Sequence, residues 1–301
     1  MMNKIVWFRY DLRVYDNSAF AQAIKDGNVL PIFIFDKELF KLETSSSFHL
    51  RFIEDSLNDL KEKLKKKYNS NLSIYYGNTK DILKYLILKY SVSEIYSNRI
   101  FKHKYLMDLD KNCENLFNDH KVKWIQTNQF GIDLNHRKRF KWAYNWNEFI
   151  QSDEKSYKFN CKFININNNF DFKDVKTNKI NGKLIQLGGR DKAIKLLDSF
   201  IETRSENYQR EMSSPVSGEI ACSRLSPHIT YGTISLKEIH RKITDKLRKS
   251  CTINKRKSLV AFKSRLAWHC HFIQKLYDEP EIEYKNLNSA FDLSLIHISE
   301  P

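Results

Sequence analysis

Glycine, proline and cysteine are scarce in this 301-residue sequence, with 8, 5 and 5 copies. Only Gly27, Gly77 and Gly131 precede residue 182, so neither a GxGxxG fingerprint nor a P-loop can be written in that part of the chain. This absence argues against an ordinary dinucleotide-dependent dehydrogenase and against a P-loop nucleotide hydrolase. The cysteines form no CxxC motif and have no regular spacing, which is typical of a reducing compartment rather than of a disulfide scaffold.

Long apolar segments are also missing. The longest apolar run, Val29–Phe35, is far shorter than the ~20 residues of a membrane-spanning helix. Arg9 and Asp11 interrupt the short apolar stretch Ile5–Phe8 before any cleavage site, so the sequence gives no indication of secretion. We therefore expect a cytoplasmic protein that makes no membrane contact.

Positive charge exceeds negative charge, because 51 Lys and Arg face 36 Asp and Glu and give a formal net charge of +15. Such an excess is typical of proteins that bind polyanions, since clustered cations release counterions from nucleic-acid phosphates. A compositional explanation stays open: Lys (37) far outnumbers Arg (14), and Asn is abundant (26), as an AT-rich genome would produce. The charge alone does not choose between the two. The hydrophobic fraction of 41% favours a globular protein over a disordered polyelectrolyte.

Short apolar runs alternate with helical patterns over the first 130 residues. The predicted strands are Ile5–Phe8, Val29–Phe35, Leu72–Tyr76, Glu94–Tyr96 and Val122–Gln126. The predicted helices are Ser18–Lys25, Phe48–Lys67, Thr79–Tyr90 with Asn78 as its cap, and approximately Tyr105–Phe117. This alternation predicts an α/β domain with a doubly wound parallel five-stranded sheet, covered by helices on both faces. Ligands of such sheets usually bind beyond the carboxyl ends of the strands.

The rest of the chain reads as a connector followed by helices. Residues 152–183 are rich in Asn, Lys and Phe, which predicts an interdomain connector rather than a packed element. An apolar stripe over Ala193–Ile201, a capping box of Ser235 with Glu238, and core spacing over Ser258–Tyr277 predict three helices. We predict an α/β domain at residues 1–130, a linker at 131–185 and an incomplete all-α domain at 186–301.

The string VWFRYDLRVYDN at residues 6–17 ends the first strand and enters the first helix. Its charged side chains are placed to pair with one another and fix the loop, and Asn17 or Ser18 is placed to cap the helix. These charged residues are Arg9, Asp11, Arg13 and Asp16. Read without context, the string favours a salt-bridged turn between strand and helix. It also closely resembles the opening of the DNA photolyase/cryptochrome family, WFRxDLRxxDN.

A second block lies about 200 residues later, where Tyr208 is followed by MSSP at 212–215 and by CSRLSPHITYGTIS at 222–235. The hydroxyls of Ser223 and Ser226, their amides and Arg224 are able to bind a diphosphate at a helix entrance. The alternative is a Ser/Arg helix cap with Leu225 in the core. The block resembles the family segment SRLSPxLxxGxxS, and this resemblance implies bound flavin adenine dinucleotide (FAD). The implied FAD-binding residues here are Tyr208, Cys222, Ser223, Arg224, Leu225 and Ser226. Cys222 departs from the Thr that photolyases commonly have, which removes one hydroxyl contact.

The third block, FKSRLAWHCHF at residues 262–272, is similar to the family helix WxxELxWRxF. The resemblance implies that Phe262 contacts the flavin and Trp268 the flipped base, with an ordinary core position as the alternative for each. His269 stands where many members place a flavin-contacting Arg. Arg265 stands at a flavin-site position where dimer-repair enzymes carry a Glu that contacts the lesion. Guanidinium in place of carboxylate exchanges an acceptor for a donor, which speaks against ordinary dimer repair.

We predict no metal site at His269-Cys270-His271, because side chains two residues apart on a helix point about 200° away from each other. The five cysteines also lack the clustering that an iron–sulfur centre needs. The sequence assigns no catalytic residue.

The resemblance implies a function and partners. A complete member would act as a deoxyribodipyrimidine photolyase, a carbon–carbon lyase in which light-excited reduced FAD donates an electron to a damaged base flipped out of DNA. The implied partners are damaged duplex DNA and an antenna chromophore of folate or deazaflavin type, and we expect a monomer. The DNA face would be the basic segment from Lys237 to Lys263, with a solvated pair of helices as the alternative. Its other cations include Arg241, Lys242, Lys246, Arg248, Lys249, Lys255, Arg256 and Lys257.

Two other functions stay open at this point. One is a photoreceptor cryptochrome without repair activity, which Arg265 favours, and the other is a flavin-free basic nucleic-acid-binding remnant. The flavin domain of the family continues well past the third block, whereas no Trp follows Trp268 here and residues 294–301 match nothing expected. We therefore expect a truncated or wrongly joined reading frame, with the entrance of the flavin pocket present and its floor absent.

Overall fold

A computed structural model describes residues 2–134, 141–153, 158–166, 168, 170–176 and 186–292. The final stretch at 294–301, which matched no expected pattern, lies outside the described residues, as do parts of the predicted connector. Within the described ranges, none of the helices combines the length and the apolar content that a bilayer crossing requires.

A parallel sheet forms the first unit, as predicted. The strands are β1 (Asn3–Phe8), β2 (Asn28–Asp36), β3 (Ser73–Gly77), β4 (Val92–Asn98), β5 (Lys123–Thr127) and β6 (Lys162–Phe163). The main strand order is β3-β2-β1-β4-β5, and every pairing is parallel. Because the strand order reverses between β1 and β4, the carboxyl ends of these two strands open onto the crevice where such sheets usually bind ligands.

Helices cover both faces of this sheet. They are α1 (Ser18–Ala23), α2 (Ser47–Tyr68), α3 (Thr79–Tyr90) and α4 (Lys104–Asp119). Ile5 and Trp7 of β1 pack with residues of α3 and α4, whereas Val6 and Phe8 pack on the opposite face with residues of α1 and α2. Asn78 caps α3 as predicted, by accepting a hydrogen bond from Asp81 N at 3.2 Å. We call β1–β5 with α1–α4 the α/β unit.

The charged loop after β1 is fixed differently from the predicted pairing within the loop. Arg9 forms a bidentate ion pair with Asp110 of α4 at 2.5 and 3.0 Å. Asp11, which is fully buried, accepts hydrogen bonds from Arg9 N and from the side-chain amides of Asn17 and Asn98. Asn17, not Ser18, caps α1 through Phe20 N at 3.1 Å. The predicted pairing within the loop is therefore confirmed only in part: Arg13 donates to the carbonyl oxygen of Asp16 at 3.0 Å, whereas the Arg9 guanidinium takes a carboxylate about 100 residues away.

The segment at 152–183 is more than a connector, which corrects the prediction of an unpacked linker. Strand β6 pairs in parallel with Asn28–Val29 of β2, at the end of β2 that β3 does not reach. Val175 is buried in the core of the α/β unit, and the ring of Phe170 stacks on Phe35 at 5.4 Å. Aromatic side chains in a polar composition therefore hold this segment on the sheet. The boundaries at residues 130 and 185 stay a prediction.

The second unit is helical, as predicted, and we call it the helical unit. It contains α5 (Trp142–Gln151), α6 (Arg190–Glu202), α7 (Tyr208–Glu211), α8 (Gly218–Ala221), α9 (Ser226–Thr230), α10 (Leu236–Arg248) and α11 (Ile253–Asp278). Its core contains Leu197, Phe200, Ile239, Leu259 and Phe262. Trp146 of α5 joins this core, although α5 lies inside the predicted linker. Helix α11 begins five residues before the predicted Ser258, where Thr252 caps it.

Only one of the two hydrogen bonds of the predicted capping box forms at the start of α10. Ser235 accepts a hydrogen bond from Glu238 N at 3.1 Å, which is the expected cap. The Glu238 carboxylate instead makes a bidentate ion pair with Arg190 at 2.6 and 2.7 Å. A charge-assisted bidentate pair is stronger than a hydrogen bond to a neutral amide, so the carboxylate joins α10 to α6.

Candidate functional site

The segment Cys222–Leu225 between α8 and α9 has an unusual backbone. Arg224 adopts a left-handed conformation with φ of +62°, and Leu225 returns to φ −88° and ψ −7°. Leu225 anchors the segment, since its side chain is fully buried in the helical core. The Ser223 hydroxyl accepts a hydrogen bond from Leu225 N at 3.3 Å. Alternation of left- and right-handed residues turns successive backbone amides toward one side, as in anion-binding loops. We call this segment the anion loop.

Arg204, two residues beyond the end of α6, contacts the anion loop from one side. Its guanidinium donates hydrogen bonds to the carbonyl oxygens of Cys222 and Ser223, the latter at 3.2 Å. The guanidinium lies close enough to Arg224 for the two positive charges to repel each other. Burial, together with that repulsion, lowers the pKa of Arg204. Among the described residues, no carboxylate forms an ion pair with either arginine.

Aromatic rings lie beside the loop. Tyr208 of α7 and Phe262 of α11 are buried, with ring centroids 5.6 Å apart in an edge-to-face arrangement. Burial raises the pKa of the Tyr208 phenol, and the charges of Cys222 and Arg265 act on it with smaller effects. The structure therefore brings together Tyr208 and Cys222 of the second block with Phe262 and Arg265 of the third block.

The predicted residues of α11 face different surroundings. Arg265 is exposed, and Trp268 is 42% exposed with its ring 6.4 Å from that of Trp142. His269 points instead toward Phe130, at 5.3 Å, and burial lowers its pKa to about 4. His271 lies against Trp142 at 5.0 Å. The rings of the His-Cys-His sequence thus contact different residues. The part of the chain that the structure describes contains no group of three His, Cys, Asp or Glu side chains arranged to hold a metal ion.

Ser226, the last predicted residue of the second block, lines a different cavity. This cavity, of about 370 Å³, lies between the α/β unit and the helical unit, and we call it the interdomain cleft. Its walls include Tyr10, His49, Lys102, Ser226 and Tyr231. It adjoins a small apolar cavity at the carboxyl ends of β1 and β2, with Tyr10 and Tyr231 in both walls.

Lys102 is the main charged group of the interdomain cleft. Its ammonium lies 4.4 Å from the ring centroid of Tyr10, which stacks on Tyr231 at 5.6 Å. Lys102 has no ion pair within the described ranges, and burial lowers its pKa to about 8. The cleft therefore combines aromatic walls with an unneutralised cation, a combination that suits an anionic aromatic ligand.

The predicted basic face on α10 and α11 is largely neutralised. Lys242 pairs with Asp198 at 2.7 Å and Lys246 with Glu202 at 2.5 Å, both carboxylates belonging to α6. Lys255 lies 3.7 Å from Glu206, and Arg248 is 3.6 Å from Asp245. Arg241 donates to the hydroxyl of Tyr15 at 2.9 Å. Lys249, Arg256 and Lys257 form no ion pair within the described residues, so the free charge lies at the junction of the two helices.

Sequence reasoning did not find Arg204 or Lys102. Arg204 lies in none of the three motif blocks, and Lys102 is one Lys among 37. Nothing in the local pattern distinguishes them, because what sets them apart is the absence of a carboxylate across a tertiary contact. A half-buried cation without an acidic partner becomes visible only once the chain is folded.

Comparison with known proteins agrees with this architecture. Residues 4–130 match the family model described as DNA photolyase. The chain is 34% identical over 102 residues to the chloroplastic/mitochondrial cryptochrome DASH of Solanum lycopersicum, covering 32% of this chain and 18% of that protein. It is 26% identical over 320 aligned positions to a deoxyribodipyrimidine photo-lyase of Agrobacterium fabrum, covering 96% of this chain and 62% of that protein.

The fold is shared with solved structures of the same kind. An archaeal photolyase from Sulfolobus tokodaii, solved with two FAD molecules, superimposes with a TM-score of 0.68 at 22% identity, covering 98% of this chain and 66% of that one. The present chain thus spans less than two thirds of the length of these relatives. The opening motif, the matched domain and the two-unit fold agree with one another. Residues 4–130 therefore match a DNA photolyase domain, and the chain as a whole is similar to photolyases and cryptochromes and shares their fold.

Proposed function

We propose that the helical unit binds FAD at the anion loop, with the flavin toward Tyr208 and Phe262, and serves a blue-light-driven photolyase-type reaction. The observation that carries this proposal is the grouping of Tyr208, Cys222, Phe262 and Arg265 around the anion loop. These residues come from blocks that resemble flavin-binding segments of the family. When bound, reduced FAD would supply a photoexcited electron.

The residues present fit a dinucleotide. A diphosphate needs hydrogen-bond donors and positive charge, and the loop offers the Arg224 guanidinium beside that of Arg204 without a carboxylate partner in the described chain. Tyr208 and Phe262 supply apolar surface for a ring system. Cys222 contributes no strong donor, so we assign diphosphate binding mainly to Ser223 and Arg224.

For repair, the proposed substrate is a pyrimidine photoproduct in DNA. Trp268 presents an exposed indole on which an extruded base can stack. Lys249, Arg256 and Lys257 would contact the phosphates, since their charges are free within the described residues. All five cysteines are free thiols, which supports a reducing, cytoplasmic location as part of this proposal. We propose that the protein acts as a monomer.

A photoreceptor role without repair is the second candidate. Arg265 favours it, because this exposed guanidinium occupies the position at which dimer-repair members carry a lesion-binding carboxylate. A guanidinium donates hydrogen bonds and cannot accept them, so it would not replace that contact.

Flavin binding and photochemistry separate these candidates. We expect the purified chain to quench FAD fluorescence on titration, and Arg224→Gln to weaken the affinity about tenfold, because the substitution removes a charged donor. Arg210→Gln is the matched control, since Arg210 is an exposed Arg of α7 outside the anion loop. Unchanged affinity in Arg224→Gln would contradict the assigned loop, and a chain that binds no flavin would favour the basic nucleic-acid-binding remnant.

The same preparation tests repair. After reduction of the bound FAD, blue light should restore intact pyrimidines in an oligonucleotide that carries a cyclobutane dimer or a (6–4) product. Light-dependent restoration supports the photolyase. Flavin photoreduction without restoration of either lesion supports the photoreceptor.

We also propose that the interdomain cleft holds an antenna chromophore with an anionic group, of folate rather than deazaflavin type. The unpaired Lys102 and the Tyr10–Tyr231 stack support this choice. We expect Lys102→Met to weaken binding of folic acid about tenfold, while binding of unsubstituted pterin, which lacks the glutamate carboxylates, changes little. Fluorescence titration measures both.

A nearby lysine provides the control for this test. Lys104→Met removes a Lys two residues away whose ammonium already pairs with Asp108 at 2.6 Å. It should leave folic acid affinity within about twofold of the unmodified protein. Equal affinities for folic acid in Lys102→Met and Lys104→Met would contradict the assignment of Lys102.

A further inference from the structure

The Arg204 side chain uses all of its donors on neutral groups. Nε donates to the Ser199 hydroxyl at 3.1 Å, and Nη2 donates to the carbonyl oxygens of Leu196 at 2.8 Å and Ser223 at 3.2 Å. Nη1 donates to the carbonyl oxygens of Cys222 and Ile220, the latter at 3.4 Å. Three of these five acceptors belong to the backbone that leads into Arg224. A half-buried guanidinium thus holds one side of the anion loop.

These contacts fix the direction of the backbone amides. In a trans peptide the carbonyl and the following N–H point in opposite directions. Because the carbonyls of Cys222 and Ser223 point at Arg204, the N–H groups of Ser223 and Arg224 point away from it. Within the described residues, neither N–H has a hydrogen-bond acceptor. Two adjacent donors are thereby directed to the outer side of the loop.

The charge of Arg204 acts in the same direction. No carboxylate pairs with Arg204 in the described part of the chain. Its charge therefore makes the electrostatic potential at the loop more positive, as the repulsion between Arg204 and Arg224 indicates. The oriented amides of Ser223 and Arg224 favour a dianionic ligand over a neutral one, and so does the unpaired charge of Arg204 on the other side of the loop.

We infer that Arg204 is a positioning residue that prepares the anion loop for a diphosphate without touching the ligand. This inference rests on the proposed binding of FAD and adds to it a residue outside the predicted site. It predicts that substitution of Arg204 weakens the binding of ligands that carry phosphates. The affinity for ligands without phosphates should stay nearly unchanged. A residue that merely supported the fold would affect both kinds of ligand equally.

The experiment compares FAD with riboflavin in Arg204→Met and Arg204→Lys. Both variants should lose about tenfold or more in FAD affinity, because a single ammonium cannot reach five acceptors arranged around a guanidinium fork. Riboflavin affinity should change less than about twofold. Fluorescence quenching measures both ligands, and far-ultraviolet circular dichroism selects the variants that are folded. If Arg204→Met does not fold, Arg204→Lys carries the test.

Inorganic pyrophosphate separates failure of this inference from failure of the proposed function. If the unmodified protein binds pyrophosphate but not FAD, and Arg204→Lys binds pyrophosphate at least about tenfold more weakly, the proposed function falls and the role of Arg204 stands. Parallel losses for FAD and riboflavin, or an Arg204→Lys variant with unchanged FAD affinity, would overturn the role of Arg204. Absence of any binding by the unmodified protein would overturn both.

Discussion

Lowering the pH from 6.5 to 4 is expected to reduce the free energy of unfolding by about 5 kcal/mol through three histidines alone. Burial is the main cause that lowers the pKa of His228, His240 and His269 to about 4, from an ordinary value of 6.5. His228 Nε2 and His269 Nδ1 are buried, and neither has a hydrogen-bond partner among the described residues. A proton added there would place a charge against apolar surroundings.

The sign follows from the two protonation equilibria. Above about pH 7.5 all three rings are neutral in both states, so they contribute no pH dependence. Between pH 6.5 and 4 the unfolded chain binds protons that the folded chain does not, so stability falls as the pH falls. A fall in pKa from 6.5 to about 4 corresponds to about 3 kcal/mol for each ring, and the partial exposure of His240 and His269 reduces their share.

Urea unfolding at several pH values between 7.5 and 4.5 measures this loss. His228→Asn keeps a polar group near the Thr233 hydroxyl, which lies 2.8 Å from His228 Nδ1, and removes the titrating ring. The variant starts from a lower stability because it leaves a cavity, but its stability should fall less steeply with pH, by about 3 kcal/mol over the range. Parallel curves for the variant and the unmodified protein would contradict the prediction, whatever their offset.

The elements of the α/β unit were predictable because they are decided locally. Strands β1 and β2 are apolar runs buried on both faces, and α2 and α3 carry a clear helical stripe with start signals. Helix ends were less accurate, since α11 starts five residues early at a Thr252 cap that the pattern of apolar residues does not mark.

The unpredicted parts depend on contacts between distant residues. Strand β6 has only two residues and exists because β2 offers an unpaired edge beside Asn28 and Val29. Glu238 has the spacing of a capping box, yet Arg190, 48 residues earlier, takes its carboxylate. The candidate site likewise contains residues that the sequence predicted and residues that it did not. Motif resemblance located Tyr208 and the anion loop, whereas Arg204 and Lys102 required the tertiary structure.

Gly232→Ala is expected to destabilise the protein by at least about 4 kcal/mol. Gly232 has φ of +64°, and a Cβ there would lie 2.3 Å from the carbonyl oxygen of Tyr10 and 2.6 Å from Asp11 Cα. Both are backbone atoms, so no rotamer change relieves the overlap. Urea and thermal unfolding measure the loss.

The cost is large because the position joins the two units. The Gly232 carbonyl accepts a hydrogen bond from Arg13 at 2.7 Å, and the neighbouring Tyr231 carbonyl accepts one from Leu12 N at 3.1 Å. Separating Gly232 from Tyr10 by the required distance would break both bonds and the Tyr10–Tyr231 stack. The interdomain cleft would lose one wall, so binding of folic acid should be lost together with stability.

Gly218→Ala separates this mechanism from a general intolerance of glycine substitution. Gly218 begins α8 without a left-handed φ, and a Cβ there would meet its nearest atom, the Glu211 carbonyl oxygen, at 3.3 Å. A small backbone adjustment accommodates that contact, so Gly218→Ala should change stability by no more than about 1 kcal/mol. Equal stability of the two variants would mean that the Gly232–Tyr10 contact is not close in solution. The close interdomain packing on which the cleft depends would then be refuted with it.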